Sequence, residues 1–223
     1  MRIGVLGATG PAGRGLAARL ADVGYDVLAG SRERAKAEAV VDELRAQWGS
    51  RVAGLTGANN QAACDADVVV LAVQADAALA TAKYFADDLG GKIVVSMANN
   101  LVRNGSEFNA VLPPHGSIAK EMQALLWRSR VVTAFHLVPA AEFVNLDENM
   151  EGDVVACGDD DEARRILMEI IADIPDLRAF DGGSLENAVG METFAAVLLT
   201  INIRHKGKAG LRLSGISAGP TRS

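Results

Sequence analysis

Two short stretches of this 223-residue chain place residue types at spacings suited to gripping a phosphorylated ligand. The first is VLGATGPAG, residues 5–13. It follows a β-branched run at once and opens a segment of helical periodicity, the context in which a glycine turn offers backbone N–H groups and a positive helix end to a pyrophosphate. Gly10 would let the backbone approach that group, and Gly13 would let the helix pack close to the strand. Pro11 sits near the helix start, where its missing N–H costs little. The glycines fit G-x-x-G-x-x-G as Gly7, Gly10 and Gly13. Against G-x-G-x-x-G the frame is Ala8-Thr9-Gly10-Pro11-Ala12-Gly13, with Gly7 one place early. The competing reading is a tight turn that binds nothing.

The second stretch is VLAGSRERAK, residues 27–36. Nucleotide folds that take NAD place Asp or Glu at the end of the second strand to accept the ribose hydroxyls. Here Gly30 holds that place, and Ser31 and Arg32 follow: a hydroxyl donor and a planar guanidinium, with Lys36 a helical turn further on. That set suits a 2′-phosphate and favours NADP over NAD. The alternative is an ordinary solvated helix face, paired with Glu33 and Glu38. Arg34 is assigned to solvent on either reading.

Other chemistries find little support. Tyr-x-x-x-Lys is absent, since Ala29 and Asp88 stand at that spacing after Tyr25 and Tyr84. His115, His136 and His205 are scattered and neither cysteine has a close ligand partner, so no metal is expected. GISAG, residues 215–219, matches a nucleophile elbow by chance, with only four residues after it. What remains is hydride transfer, in which the protein's task is to hold two rings face to face. Such a site lies beyond the carboxyl ends of the strands, near VQADA (73–77), SMANN (96–100) and FHLVPAA (135–141). His136 either polarises an acceptor ring or caps its strand, and Val138 and Pro139 shape an apolar wall. After Glu192 no acidic residue occurs, whereas Arg204, Lys206, Lys208, Arg212 and Arg222 do. That cationic end reads either as the seat of a second anionic substrate or as a basic arm against the acidic body or a subunit partner.

The elements that must position these groups are legible as short apolar runs: RIGVLG, YDVLAG, RVAGL, DVVVLAV, KIVVSM, RVVTAFHLV, DVVACG and LRAF. Near-continuous apolar strands are those of a parallel sheet buried on both faces. Between the first of them, Leu16 and Leu20, then Val40 and Leu44, mark helices that each close at a glycine. The rhythm predicts an α/β fold, a Rossmann-like doubly wound, mostly parallel sheet, with residues 1–136 binding nucleotide and 137–223 forming a small C-terminal lobe. Residues 101–116 read as a loop over the sheet's carboxyl edge. With 49% hydrophobic residues and a net charge of −6, nucleic acid and anionic membrane are poor partners. Ala188–Ile203 is too short and carries Glu192, so it reads as a packed helix. An opening on MRIGVLG and two distant cysteines, Cys64 and Cys157, point to a cytoplasmic setting.

The stretches MRIGVLGATGPAGRGLAARLADVGYDVLAGSRERAKAEA, FHLVPAAEFVNLDE, CGDDDEA and LLTINIRHKGKAGLRL together resemble the NADPH-dependent coenzyme F420 reductases, the F420:NADP oxidoreductases. The resemblance spans nearly the whole chain. It implies a homodimer and reversible hydride exchange between nicotinamide C4 and deazaflavin C5. It also implies that Thr9, Gly10, Pro11 and Ala12 hold the pyrophosphate and that Ser31, Arg32 and Lys36 hold the 2′-phosphate. Val73 and Met97 lie near the cofactor on this reading, and His136, Val138, Pro139 and Ala140 flank the stacked rings. The turn from Gly207 through Ala209 to Gly210 touches F420. The chain departs from the family pattern at Ala8, Val189 and Ala195. Two other functions fit the residues alone: an NADP-linked reductase of another small substrate, and a non-catalytic NADP(H) sensor.

Overall fold

The apolar runs become strands because their side chains alternate between two cores. In the computed structural model, which describes residues 1–218, β1 (Arg2–Leu6), β2 (Asp26–Ser31), β3 (Leu55–Asn59), β4 (Val68–Leu71) and β5 (Ile93–Ser96) belong to one sheet. β6 (Leu101–Asn104) and β7 (Glu107–Ala110) pair only with each other, while β8 (Arg130–Thr133), β9 (Gly152–Gly158) and β10 (Leu177–Asp181) complete the main sheet. Its order is β3-β2-β1-β4-β5-β8-β9-β10, parallel throughout except between β8 and β9. On β4, Val68 and Val70 enter the core on one face, and Val69 and Leu71 the core on the other. Residues 152–181 thus continue the same sheet.

The helices cover both faces. α1 (Pro11–Asp22), α2 (Arg34–Trp48) and α7 (Asp161–Asp173) bury Leu16, Leu20, Leu44 and Leu167 on one side. α4 (Ala75–Tyr84) and α5 (Ile118–Leu125) bury Ala78, Ala82 and Met122 on the other. Two single turns, α3 (Asn60–Ala63) and α6 (Ala140–Phe143), flank β3 and follow β8; α8 (Ala188–His205) is the longest helix. After β3 the chain crosses back over β1 to form β4, so the strand order reverses between β1 and β4. In such sheets ligands bind outside the carboxyl ends of the strands at that point.

Four local expectations are corrected. Residues 51–55 do not form a strand throughout: Gly49, at φ 57°, ends α2 into a 3-10 turn over Gly49–Val52, and β3 starts only at Leu55. Residues 101–116 are not all loop, because β6 and β7 form a hairpin about Gly105, at φ 60°, whose Phe108 N–H donates to Thr200 Oγ1 on α8 at 2.9 Å. The run RVVTAFHLV leaves the sheet after Thr133, since Phe135 adopts φ 65°. The buried row of α2 is Ala37, Val41 and Leu44, which leaves Val40 only partly buried.

Candidate functional site

The glycine turn is assembled by backbone hydrogen bonds. Gly7, at φ 84°, and Ala8 both donate N–H groups to the Gly30 carbonyl, at 3.1 and 2.9 Å. Gly10 donates to the Gly7 carbonyl at 3.0 Å and then caps α1, with Pro11 in the first turn. The first helical bond runs from Arg14 N–H to the Gly10 carbonyl at 2.8 Å, so the N–H groups of Ala12 and Gly13 lie ahead of the ladder, free for an anion. A Cβ on Gly13 would stand 2.5 Å from the Gly7 oxygen, so helix packing alone demands that glycine. Gly10 differs: its φ of −82° suits any residue, and a Cβ would meet only the Gly7 oxygen, at 3.4 Å. The protein itself does not require glycine there, whereas a ligand lying on the backbone does. Thr9 and Pro11 are exposed beside it and Ala12 is half-buried. Ala8 is buried at ordinary backbone angles, so its methyl does not disturb the turn.

At the end of β2, a Cβ on Gly30 would lie 2.9 Å from Asn60 Oδ1 and 3.0 Å from Ala63 Cβ. No acidic side chain fits where NAD would need one. Ser31 is buried, with its Oγ 3.4 Å from the Glu33 N–H. Arg34 pairs with Glu38 at 2.8 Å and Lys36 with Glu33 at 2.6 Å. Arg32 is exposed, and among the described residues it has no carboxylate partner. Exposed pairs contribute about 0.2–1 kcal/mol, so Lys36 can exchange Glu33 for a phosphate at small cost.

The wall beyond the strands comes from β4, β5 and β8. Val73 Cγ1 lies 2.8 Å from where a Cβ on Gly7 would project, which places this side chain directly beside the turn. Met97 follows β5 and is half-buried. After β8, Phe135 sits edge-on to Phe143 of α6, ring centroids 5.9 Å apart, with its own backbone left-handed at φ 65°. Val138, Pro139 and Ala140 are half-buried, with Pro139 capping α6. His136 is buried, and its Nε2 bonds Thr133 Oγ1. Burial pushes its pKa down to about 4, against a weaker opposing pull from the Met97 backbone, so the ring is neutral near pH 7. Asn99 Nδ2 donates to the His136 carbonyl at 3.0 Å, which leaves Asn99 Oδ1, like His136 Nδ1, buried without a partner. Orphan polar atoms are costly, and two beside this wall fit a site completed by a polar ligand.

Sequence reasoning missed the groups that hold the wall in place. Arg19 of α1 is 5% exposed and donates to the carbonyls of Glu142, Phe143, Asn145 and Glu148, at 2.5 to 3.0 Å. A Cβ on Gly15 would lie 2.4 Å from Phe143 Cβ, so α1 and α6 meet only because that residue is glycine. The one sequence signal is that Gly15 and Arg19 stand four apart on a helix face. Glu192 of α8 is likewise buried and accepts the N–H groups of Ile118 and Ala119 at 2.7 and 3.0 Å, capping α5. Burial raises its pKa to about 7, with those two bonds opposing.

The tail beyond α8 turns at Lys206, at φ 51°, and Ala209 donates to Asn202 Oδ1 at 2.5 Å. Gly207 and Ala209 are exposed, and a Cβ on Gly207 would meet nothing within 4 Å. Val189 is half-buried, and Ala195 packs with Leu137 and Leu198. Of the cationic end, Arg204 is paired with Glu107, while Lys206, Lys208 and Arg212 are exposed. Arg222, and Gly219 of the GISAG match, lie outside the described residues.

Residues 2–100 match the family model described as NADP oxidoreductase, coenzyme F420-dependent. The chain is 35% identical over 222 residues to the F420-dependent NADP reductase of Methanocaldococcus jannaschii, covering 97% of this chain and 99% of that one. It is 31% identical to the enzyme of the same name from Methanothermobacter thermautotrophicus, covering 97% and 96%. A crystal structure from Arthrobacter sp. FB24, provisionally named an F420-dependent NADP reductase, superposes with a TM-score of 0.74 at 26% identity, covering 92% of this chain and 93% of that one. With a relative this similar aligned along nearly its entire length, over a fold whose turn and strand ends suit a 2′-phosphorylated dinucleotide, the chain belongs to the F420-dependent NADP reductase family.

Proposed function

We propose that the protein transfers a hydride reversibly between NADP(H) and the deazaflavin coenzyme F420. The observation that carries the NADP half is the end of β2, where Gly30 has no room for an acid and Arg32 stands unpaired among the described residues. In this reading Thr9, Gly10, Pro11 and Ala12 bind the pyrophosphate, and Ser31, Arg32 and Lys36 read the 2′-phosphate. Val73, Met97 and Ala140 border the nicotinamide, while His136, Val138 and Pro139 orient the paired rings. Gly207 and Ala209 contact F420. When bound, the two coenzymes supply the whole of the redox chemistry, hydride leaving nicotinamide C4 and arriving at deazaflavin C5.

The protein's own part is orientation and exclusion of water. A neutral His136 bonded to Thr133 fixes the wall and donates no proton to a ring. Asp153 borders the cavity next to His136 but is committed to Arg178, so it does not serve as a general acid either. Residues 1–136 act as the nucleotide half and 137–223 as the deazaflavin half, in a homodimer that works in the cytoplasm on small molecules and not on nucleic acid. Among the described residues no helix is long and apolar enough to cross a membrane. The test is optical: protein, NADPH and oxidised F420 mixed near neutral pH bleach the deazaflavin absorbance band. Tight NADPH binding without bleaching refutes the reading.

A further inference from the structure

We propose that Asp153 is a positioning residue for the deazaflavin: it fastens residues 207–213 as a strap beside the ring wall. Its side chain is fully buried at the start of β9 and accepts both arms of Arg178, its register partner on β10, at 2.7 and 2.6 Å. The strap is tied to this pair from both sides. Asp153 N–H donates to the Leu211 carbonyl at 2.9 Å, and Leu213 N–H donates back to Asp153 Oδ2. Arg178 also donates to the Leu213 carbonyl, at 2.7 Å. At the other end Asn202 holds Ala209 by its N–H and carbonyl, at 2.5 and 3.4 Å.

On either side of Ala209 the strap is exposed. A Cβ on Gly207 would meet nothing, and one on Gly210 only the Glu151 carbonyl, at 3.9 Å, so the strap keeps glycines that its own packing does not need. The fastening also reaches the ring wall directly. Asp153 lines the same cavity as His136, Val138 and Met191, and Leu211 packs into the apolar cluster of Leu137, Ala195 and Leu198. A buried carboxylate whose bonds go to a strap and to the arginine that also holds that strap sets the distance between the Gly207–Gly210 turn and the wall. The inference rests on the reading of F420 as the second substrate.

The experiment uses the full-length protein, with Asp153→Asn and, because loss of a buried pair can prevent folding, Leu213→Pro as a second variant. Leu213→Pro removes one N–H and leaves the Asp153–Arg178 pair intact. Trypsin reads the strap without any coenzyme, through cleavage after Lys206 and Lys208, two sites that neither substitution alters. Steady-state kinetics then separates KM for F420 from KM for NADPH. Expected are cleavage about ten-fold faster in the variants, KM for F420 about ten-fold higher, and KM for NADPH within about two-fold of the parent. A parent tail cut as fast as the variants' overturns the strap. A released tail with unchanged KM for F420 overturns the positioning role. A resistant tail in a parent that never reduces F420 overturns the positioning role through the function on which it rests, and the strap then stands as architecture alone.

Discussion

At the scale of the residue, the cations after β2 separate into committed and uncommitted groups. Arg34 and Lys36 already have carboxylate partners three or four residues away, whereas Arg32 has none among the described residues. A charged hydrogen bond contributes about 1.5–3 kcal/mol, so Arg32→Ala weakens NADPH by that amount and leaves the poorer coenzyme NADH almost unchanged. Titration of both reduced coenzymes checks it, and an equal loss for the two would remove the 2′-phosphate from Arg32. Lys36→Ala costs less, because the ammonium must first give up Glu33. A Gly30→Asp exchange meant to invite NAD does not succeed in this chain, since its Cβ alone would crowd Asn60 Oδ1, Ala63 Cβ and the Val5 carbonyl.

At the scale of the element, two buried titratable groups with opposite shifts link stability to pH. His136, in the segment after β8, has its folded pKa depressed from 6.5 to about 4. Its contribution is present above pH 6.5 and is lost as pH falls through about 4, a change of about 3 kcal/mol. Glu192, on α8 against α5, has its folded pKa raised from 4.5 to about 7. Its contribution is present below pH 4.5 and is lost as pH rises through about 7, by a similar amount. Where the two windows overlap, from about pH 4.5 to 6.5, the unfolded chain takes up one proton that the folded chain refuses and releases one that it keeps, so the two slopes cancel. Glu192→Gln removes one side of the balance. The unfolding free energy from urea titrations should then fall by about 1.4 kcal/mol per pH unit more in the variant than in the parent as pH drops from about 6.5 to 4.5. Identical slopes would mean that Glu192 titrates normally. These elements were unequally legible in the sequence. The parallel strands and the helices α1, α2, α7 and α8 announce themselves because burial on both faces demands apolar runs and helical spacing. The glycine turn and the charges after β2 are legible for the same reason, being local in sequence. The β6–β7 hairpin was not, because its residues are mostly exposed and its stability comes from α8, some ninety residues later. Arg19, Asp153 and Glu192 were missed because each looks like a surface charge until partners distant in the chain, carbonyls for Arg19 and N–H groups for Glu192, close around it.

At the scale of the whole molecule, α8 connects the strap, the cap of α5 and an apolar face that this single chain leaves open. Phe194, Val197 and Ile201 stand three and four apart on that helix, 37%, 50% and 38% exposed, while its opposite side is buried against α5 and the Leu137 cluster. A mean-sized apolar side chain gains about 1.5–3 kcal/mol when moved out of water, and a two-fold contact would bury each of the three twice. The proposed homodimer is therefore expected to form across this face. Sedimentation equilibrium at micromolar concentration should give twice the chain mass for the parent and the single-chain mass for Val197→Glu. Because Val197 is half exposed already, the glutamate leaves the folded chain intact, and the far-ultraviolet circular dichroism should not change. A parent that sediments as one chain, or a Val197→Glu variant that remains paired, would place the contact elsewhere. The choice of face also bears on activity: α8 carries Asn202, which holds the strap at Ala209, and Glu192, which holds α5. If copies meet along α8, dissociation frees the helix that spaces the deazaflavin turn from the wall. Val197→Glu should then raise KM for F420 more than KM for NADPH, although the residue touches neither coenzyme.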